Sequence, residues 1–374
     1  MTDRPTVALV AHGVHDHGGM ERAFFELIRH AHGDYRFVVL SAELDERLRG
    51  LVEWQRIRVP MRPIPLKIVV FWLRAGLRLA RLRPNVVHTM GALVPNRADV
   101  ATIQFCSAGF RARTGRLISP GRTLPRRINS GIVRLLALAL EAWSYRPNRL
   151  RAFGVVSHGV AREIEAHYPG VPVAITPNGV DVERFAPDPA ARRELRDARG
   201  VGDGELVCLF VGNDWEHKGL QLVVEALALA GIHARLWVVG RGDVARYGAL
   251  ARRHGVHVEF AGARADTERW YAAADAFVLP SLYETFSLVA YEAAASRLPL
   301  VATRVSGIDE LLDGGAGLAV DRDARSVADA LRTLAGDADL RARLGAHGRE
   351  VAAAYDWQRS VDAVLRIYAE LTPA

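Results

Sequence analysis

Lysine and cysteine are nearly absent from this chain. Of 374 residues, 49 are Lys or Arg, but the lysines are Lys67 and Lys218 alone, which leaves 47 arginines. A lysine kept against such an arginine bias is a position to inspect. The two cysteines, Cys106 and Cys208, lie about a hundred residues apart in no metal-like spacing, which excludes a disulfide-stapled scaffold and reads as reduced, intracellular thiols. Long apolar runs are missing as well. One of the longest, Ile68 to Leu73, is bounded by Lys67 and Arg74 and falls far short of the roughly 18–20 residues of a membrane span. The start, Met1-Thr2-Asp3-Arg4-Pro5, leads straight into a strand-like run with no signal-peptide pattern. The expected location is therefore cytoplasmic.

What is present is a globular composition. Half of the residues are apolar and 24% are charged, enough for sizeable cores over roughly two domains. The net charge of +7 is unevenly spread: residues 1–180 carry 26 basic and 13 acidic side chains, and residues 181–374 carry 23 and 29. A basic half joined to an acidic half predicts two domains with different partners, the basic one facing nucleic acid, an anionic membrane or an acidic substrate.

Short apolar runs alternate with helical segments along the whole chain. Strands are expected at Val7–Ala11, Phe37–Leu40, Val86–His88, Val100–Ile103 and Phe153–Val156. A second series follows at Leu206–Val211, Leu236–Gly240, Val256–Phe260, Ala276–Leu279 and Leu300–Ala302. Helices are expected at Glu21–His32, Leu220–Ala230, Asp243–Arg253, Ser287–Ser296 and Ser326–Ala335. Nearly all-apolar strands separated by helices mean parallel sheets covered on both faces. The pattern predicts an α/β protein of two doubly wound domains, residues 1–176 and 177–355, with a terminal helix at 356–374 packing back on the first. Ile175-Thr176-Pro177-Asn178-Gly179 punctuates the boundary. Ligands of such sheets bind at the carboxyl ends of the strands, here in a cleft between the two.

Two glutamates eight positions apart, Glu284 and Glu292, straddle the start of a helix. The N–H groups around Phe286, Ser287, Leu288 and Val289 have no acceptor within that helix and suit a phosphate. Glu292 lies further in, where a carboxylate can accept two hydrogen bonds from a vicinal diol such as ribose. Taken alone, the pair also fits a surface glutamate and a helix-dipole glutamate. Upstream, Gly212-Asn213-Asp214-Trp215-Glu216-His217-Lys218-Gly219 runs from strand to helix. Near the amino terminus, Gly18-Gly19 precedes a helix, and glycines let backbone approach a ligand closely. The adjoining His12, His15, Asp16 and His17 mimic a metal site, and Asp321-Arg322-Asp323 mimics an Asp-x-Asp motif, but the latter opens a helix, where capping is expected.

The run from Glu284 to Val320 resembles the signature of glycosyltransferase family 4. Two glutamates separated by seven residues precede an apolar helix. Leu298-Pro299-Leu300-Val301-Ala302-Thr303, Gly307-Ile308-Asp309-Glu310 and Asp313-Gly314-Gly315-Ala316-Gly317-Leu318 follow. Thr176 to Asp181 is similar to the family's linker, Leu209 to Gly219 to its donor-phosphate loop, and His12 to Phe25 to its amino-terminal glycine loop. The resemblance implies the GT-B fold, two Rossmann-like domains facing across a cleft. It implies a metal-independent enzyme that transfers a hexose from an NDP-sugar, UDP or GDP, to an acceptor hydroxyl with retention, in cell-envelope glycan, glycolipid or natural-product synthesis. The NDP-sugar is a substrate, and neither a cofactor nor a metal is implied. Gly19 and Gly18 would meet the donor's diphosphate, Lys218 would stabilise it, Glu284 would touch the sugar hydroxyls with N–H groups of Phe286, Ser287 and Leu288, and Glu292 would hold the ribose.

Three positions depart from the family. Asn213 stands where an arginine is usual, and Arg184 is the candidate for the second cation. Gln104 stands where many members have histidine, and Asp99 just before it is the candidate for the polar role, as in the lipopolysaccharide glucosyltransferases that the chain partly resembles. Arg297 stands where glycine is usual after a helix, at a site that often needs positive φ. Basic residues also cluster from Arg56 to Arg83 and from Arg111 to Arg134. Arg74, Arg78 and Arg81, at i, i+4 and i+7, form one helix face that is either solvated or laid on an anionic membrane at the inner face of the cytoplasmic membrane. No nucleic-acid motif accompanies the charge. The partners expected are a nucleotide sugar, a sugar, glycolipid or small-molecule acceptor, and such a membrane. The rival readings are a nucleotide-sugar epimerase and a non-catalytic nucleotide-sugar-binding protein.

Overall fold

The structure, a computed structural model, describes residues 4–115, 124–202 and 204–372. The segment 116–123, inside the second basic cluster, lies outside them. The chain divides into two compact units, residues 1–178 with 357–374, and residues 179–356.

The first unit holds β1 (Thr6–Val10), β2 (Gly13–Val14), α1 (Gly19–Ala31), β3 (Arg36–Ser41), β4 (Glu43–Leu44), β5 (Glu53–Arg56), α2 (Ile64–Leu79), β6 (Val86–Met90), β7 (Ala98–Ile103), α3 (Ser107–Thr114), α4 (Leu124–Ser144), β8 (Leu150–Val155), α5 (His158–His167) and β9 (Val173–Ile175). A seven-stranded sheet runs in the order β5-β3-β1-β6-β7-β8-β9, and its pairings are parallel. Strand β1 shows why its sequence is apolar throughout. Val7 and Leu9 join a cluster with Phe24, Phe25 and Ile28 of α1 and with Val361, Ile367 and Tyr368 of the carboxyl-terminal helix. Ala8 and Val10 join a cluster on the other face with Phe71, Ala75 and Leu79 of α2. Alternate residues thus bury against opposite helical layers, each fully buried large side chain stabilising by about 1.5–3 kcal/mol.

The second unit holds α6 (Pro189–Asp197), β10 (Leu206–Val211), α7 (Leu220–Ala230), β11 (Ala234–Val239), α8 (Val244–His254), β12 (His257–Gly262), α9 (Thr267–Ala273), β13 (Ala276–Leu279), α10 (Leu288–Ala295), β14 (Leu300–Thr303), α11 (Asp309–Asp313), β15 (Gly317–Val320), α12 (Ala324–Gly336) and α13 (Ala338–Ala353). Its sheet runs β12-β11-β10-β13-β14-β15, again in parallel. The alanines of α10 allow close packing on α13, where a Cβ on Gly348 would lie 3.4 Å from the Ala294 side chain and one on Gly345 would lie 2.1 Å from the Arg297 carbonyl oxygen. The strand order reverses between β1 and β6 in the first unit and between β10 and β13 in the second. The carboxyl ends of those strands are where such sheets receive ligands. The carboxyl-terminal helix, α14 (Trp357–Leu371), belongs to the first unit.

Candidate active site

In the second unit, the loops leaving β10 and β13 meet. The Lys218 ammonium lies 2.7 Å from Glu284 Oε1, and Ser281 Oγ donates to the same oxygen at 2.8 Å. Two glycines make room for this. Gly212 sits at φ 145°, and a Cβ there would fall 2.6 Å from Lys218 Cδ. Gly219, at φ 80°, would press its Cβ to 2.5 Å from the Pro280 carbonyl oxygen. Asp214, between them, is also left-handed at φ 52°, a conformation that Asp tolerates better than most residues. Strain concentrated in one ligand-facing loop marks a shape held by its surroundings.

The start of α10 lies beside this pair. Ser287 is its N-cap, yet its side chain makes no capping hydrogen bond, and its Oγ is buried without a partner among the described residues. The first-turn N–H groups have no acceptor within the helix. Gly307, at φ 81°, lets the preceding loop close in, since a Cβ there would lie 2.7 Å from Phe286 Cα. Phe286 stacks on Tyr291 with centroids 4.3 Å apart, which fixes the loop from below. Glu292 is oriented by Tyr271, whose hydroxyl donates to Oε2 at 2.9 Å. Burial and that carboxylate push the phenol well above its ordinary value, so it stays a donor.

Asn213 does not replace the family's arginine in kind: its Oδ1 accepts the Arg241 backbone N–H at 2.8 Å. This bond ties the β10 loop to the β11 loop and sets Arg241, an exposed residue, at the same carboxyl edge. The sequence reading passed over Arg241 because the two positions are far apart in the chain. Arg184 is engaged elsewhere, donating to Glu268 Oε2 at 2.9 Å and to the Ala265 carbonyl at 2.9 Å.

In the first unit, Gly18 stands at φ 85°, where a Cβ would lie 2.7 Å from Glu21 Oε2, and α1 begins at Gly19. The histidine-rich loop is held by ion pairs: Asp16 lies 2.6 Å from Arg47 and 2.7 Å from His17. No cluster of three or more His, Cys, Asp or Glu is placed to hold a metal among the described residues, and Asp323 caps α12 by accepting the Ser326 N–H at 2.9 Å.

The expectation for Asp99 is corrected by its position. It lies at the amino end of β7, where its carboxylate accepts the Val87 N–H at 2.8 Å and pairs with Arg151 at 3.3 Å. That is the edge opposite the ligand loops. Gln104, directly after β7, lies at the ligand edge and exchanges two amide hydrogen bonds with Asn178, at 2.7 and 2.8 Å. Gln104 also lines a cavity of about 220 Å³ at the carboxyl ends of β1, β6 and β7, flanked by α2 and α4. His12 lies there too; burial, with the Lys67 ammonium nearby, pushes its imidazole down to about 4. Both cysteines are buried thiols.

Comparison with known proteins agrees with this architecture. The structure of WaaG, a glycosyltransferase involved in lipopolysaccharide biosynthesis, superposes with a TM-score of 0.80 at 20% identity, over 98% of this chain and all of that one. Anabaena Alr3699/HepE, solved in complex with UDP and glucose, gives a TM-score of 0.72 at 16% identity over 98% of this chain and all of its own. The fold is α/β of the GT-B type, two Rossmann-like domains. Residues 17–184 match the family model described as Glycosyltransferase Family 4, and residues 205–337 match that described as Glycosyl transferases group 1. The D-inositol 3-phosphate glycosyltransferase of Corynebacterium jeikeium (strain K411) is 38% identical over 221 residues, 54% of this chain and about half, 52%, of that relative's length. The one from Arthrobacter sp. (strain FB24) is 31% identical over 346 residues, 87% of this chain and 76% of the relative. The chain belongs to glycosyltransferase family 4.

Proposed function

We propose that this protein is a retaining glycosyltransferase that moves a hexose from an NDP-sugar to an acceptor hydroxyl without a metal ion. The observation that carries the reading is the Lys218–Glu284 pair at the switch point of the second sheet, beside the α10 amino terminus with its unused serine cap. Lys218, the α10 N–H groups and Arg241 take the diphosphate, Glu284 turns to the sugar hydroxyls, and Glu292 holds the ribose. As the bond from the anomeric carbon to the diphosphate oxygen breaks, charge accumulates on the leaving group, and fixed cations and N–H groups there lower the barrier. A UDP-sugar is the first donor to test, since HepE was solved with UDP and glucose.

No helix among the described residues is long and apolar enough to cross a membrane. Helix α2 suits a surface position instead. Leu66, Val69, Leu73 and Leu77 are 47%, 38%, 49% and 66% exposed along one stripe, beside exposed Arg78 and Arg81. An apolar stripe flanked by arginines suits the interface of an anionic membrane and is the basis for placing the enzyme peripherally at the inner face of the cytoplasmic membrane.

The test is a thermal-shift and hydrolysis screen against UDP, GDP, ADP and TDP sugars, with the product anomer read by NMR. One NDP-sugar should raise the melting temperature and be turned over with retained configuration. An inverted product overturns retention, epimerised donor without transfer makes the protein an epimerase, and binding without turnover of any acceptor leaves it a binding protein.

A further inference from the structure

At the amino edge of the second sheet, opposite the loops that carry Lys218 and Glu284, lies a concavity of about 520 Å³. It sits at the starts of β10, β11 and β13, where Leu206, His233 and Asp275 reach it, between α6, α12 and α13. Its volume is in the range of small-molecule sites. Four arginines line it, Arg192 and Arg196 of α6, Arg332 of α12 and Arg341 of α13, against two carboxylates, Glu205 and Asp275.

These charges do not cancel. Asp275 is shared, with Arg192 at 2.5 Å from its Oδ1 and Arg196 at 2.9 Å from its Oδ2. Glu205 is matched by Arg235 at 2.6 Å, and Arg332 by Asp329. Arg341 donates to the Leu334 and Ala335 carbonyls at the end of α12 and pairs with no carboxylate among the described residues. One charge of the α6 pair and that of Arg341 are therefore left without a carboxylate. Capping of helix ends explains why arginine stands here, since Arg192 also takes the Ala273 and Ala274 carbonyls and Arg196 the Ala273 and Glu205 carbonyls. It uses only part of each guanidinium. The Nε–H groups of Arg192 and Arg196, and the Nε–H and Nη2 groups of Arg341, donate to no protein acceptor among the described residues. The side chains keep accessible surface, 39% for Arg192 and 45% for Arg332. The bonds already made hold the forks in place, so a ligand orders little on arrival. Anchored guanidiniums with spare N–H groups and surplus positive charge suit a phosphate. Ile232 and Ala335, both partly exposed, add apolar wall.

We propose that this concavity binds a small phosphorylated metabolite, a phosphomonoester whose phosphate meets Arg192, Arg196 and Arg341 and whose organic part covers Ile232 and Ala335. The length of β10, roughly 17–20 Å, separates it from the Lys218 loop. The inference does not depend on the transferase reading.

Calorimetry on the full chain with phenyl phosphate, phenol and inorganic phosphate tests this, in the natural sequence and in Lys218→Ala. Phenyl phosphate should bind at least about ten-fold tighter than phenol, from the charge-assisted contacts, and several-fold tighter than inorganic phosphate, from the apolar area covered. Its affinity should fall with added salt and be unaltered in Lys218→Ala. Arg341→Gln should weaken it by about ten-fold. Ala335→Glu keeps every capping arginine and sets a carboxylate beside Arg341, whose Nη1 meets the Ala335 carbonyl at 3.4 Å; it should weaken binding by about ten-fold or more, with the fold checked by circular dichroism. No binding of phenyl phosphate, phenol binding as tightly, inorganic phosphate binding as tightly, loss of binding in Lys218→Ala, or binding unaffected by both Arg341→Gln and Ala335→Glu would each overturn the proposal.

Discussion

At the residue scale, the proposed chemistry turns on where two cations are placed. Lys218 is paired with Glu284 before any donor is bound, so its stem is already ordered and part of the entropy of fixing a long side chain is met in the free protein. Lys218→Ala should lower turnover of the NDP-sugar by about 10²-fold, the scale of one lost charge-stabilising contact, as measured by kcat with the fold checked by circular dichroism. Unchanged kcat would remove Lys218 from the mechanism. Arg241 presents a different case. Its backbone is held by Asn213 while its side chain is exposed, so it contributes a solvent-screened charge. Arg241→Gln should raise the donor KM by roughly ten-fold and leave kcat within a factor of about three, and the effect should shrink in high salt. If donor KM is unaltered in low salt, Arg241 is not the second cation.

At the element scale, arginine serves where lysine would serve poorly, at the ends of helices. Arg332 donates to the Leu229 and Ala230 carbonyls that end α7, at 3.1 and 3.2 Å. Arg196 reaches the Ala273 carbonyl that ends α9 at 3.3 Å, and Arg349 bridges Phe185, Val182 and the Ala295 carbonyl that ends α10. One planar guanidinium satisfies several carbonyls at the negative end of a helix, and part of the arginine excess is spent this way. Helix α10 also carries a defined strain. Leu298 N–H bonds the Ala293 carbonyl and Arg297 N–H the Ala294 carbonyl, both at 3.0 Å, the pattern that places a left-handed residue at Arg297, observed at φ 62°. Arg297→Gly should therefore stabilise the second unit by up to about 1 kcal/mol, the left-handed penalty less glycine's greater chain entropy, read from the urea midpoint. A destabilised variant would mean that the Arg297 side chain contributes more than its backbone costs. The same local rules explain what was legible in the sequence. Central strands such as β10 and β13 are wholly apolar because helices cover both faces. Three edge strands, β5, β9 and β15, are short or polar and were not anticipated. The Gly212–Gly219 and Ser281–Ser287 loops were legible because backbone geometry demands glycine and a helix start. The pairing of Gln104 with Asn178, the contact of Asn213 with Arg241, and the position of Asp99 at the far edge depend on long-range register, which no local pattern encodes.

At the scale of the whole molecule, the two units differ in how they carry buried histidine. His12 and His88 both belong to the first unit. His88 is fully buried, hydrogen-bonded to Tyr368 and Thr102 at 2.6 and 2.7 Å, and burial pushes it down to about 3. His12 is pushed down to about 4. The second unit's histidines occupy partly buried or exposed positions. A histidine whose folded pKa lies below its unfolded value of about 6.5 binds more protons when unfolded over that interval, so folding loses stability as pH falls. The contribution is whole above about pH 6.5 and drains at up to about 1.4 kcal/mol per pH unit for each histidine until the folded pKa is reached. From pH 6.5 to 5 the pair removes up to about 4 kcal/mol, a large share of the stability of any domain. Acid should therefore unfold the first unit before the second. Pulse proteolysis in urea, with fragments assigned by mass, should show the midpoint of residues 1–178 dropping across this range while that of 179–356 changes little. His88→Gln, which cannot titrate, should roughly halve the slope for the first unit whatever its absolute stability. Equal slopes for the two units, or an unaltered slope in His88→Gln, would mean that these imidazoles are protonated in the folded unit and do not stay neutral in the core.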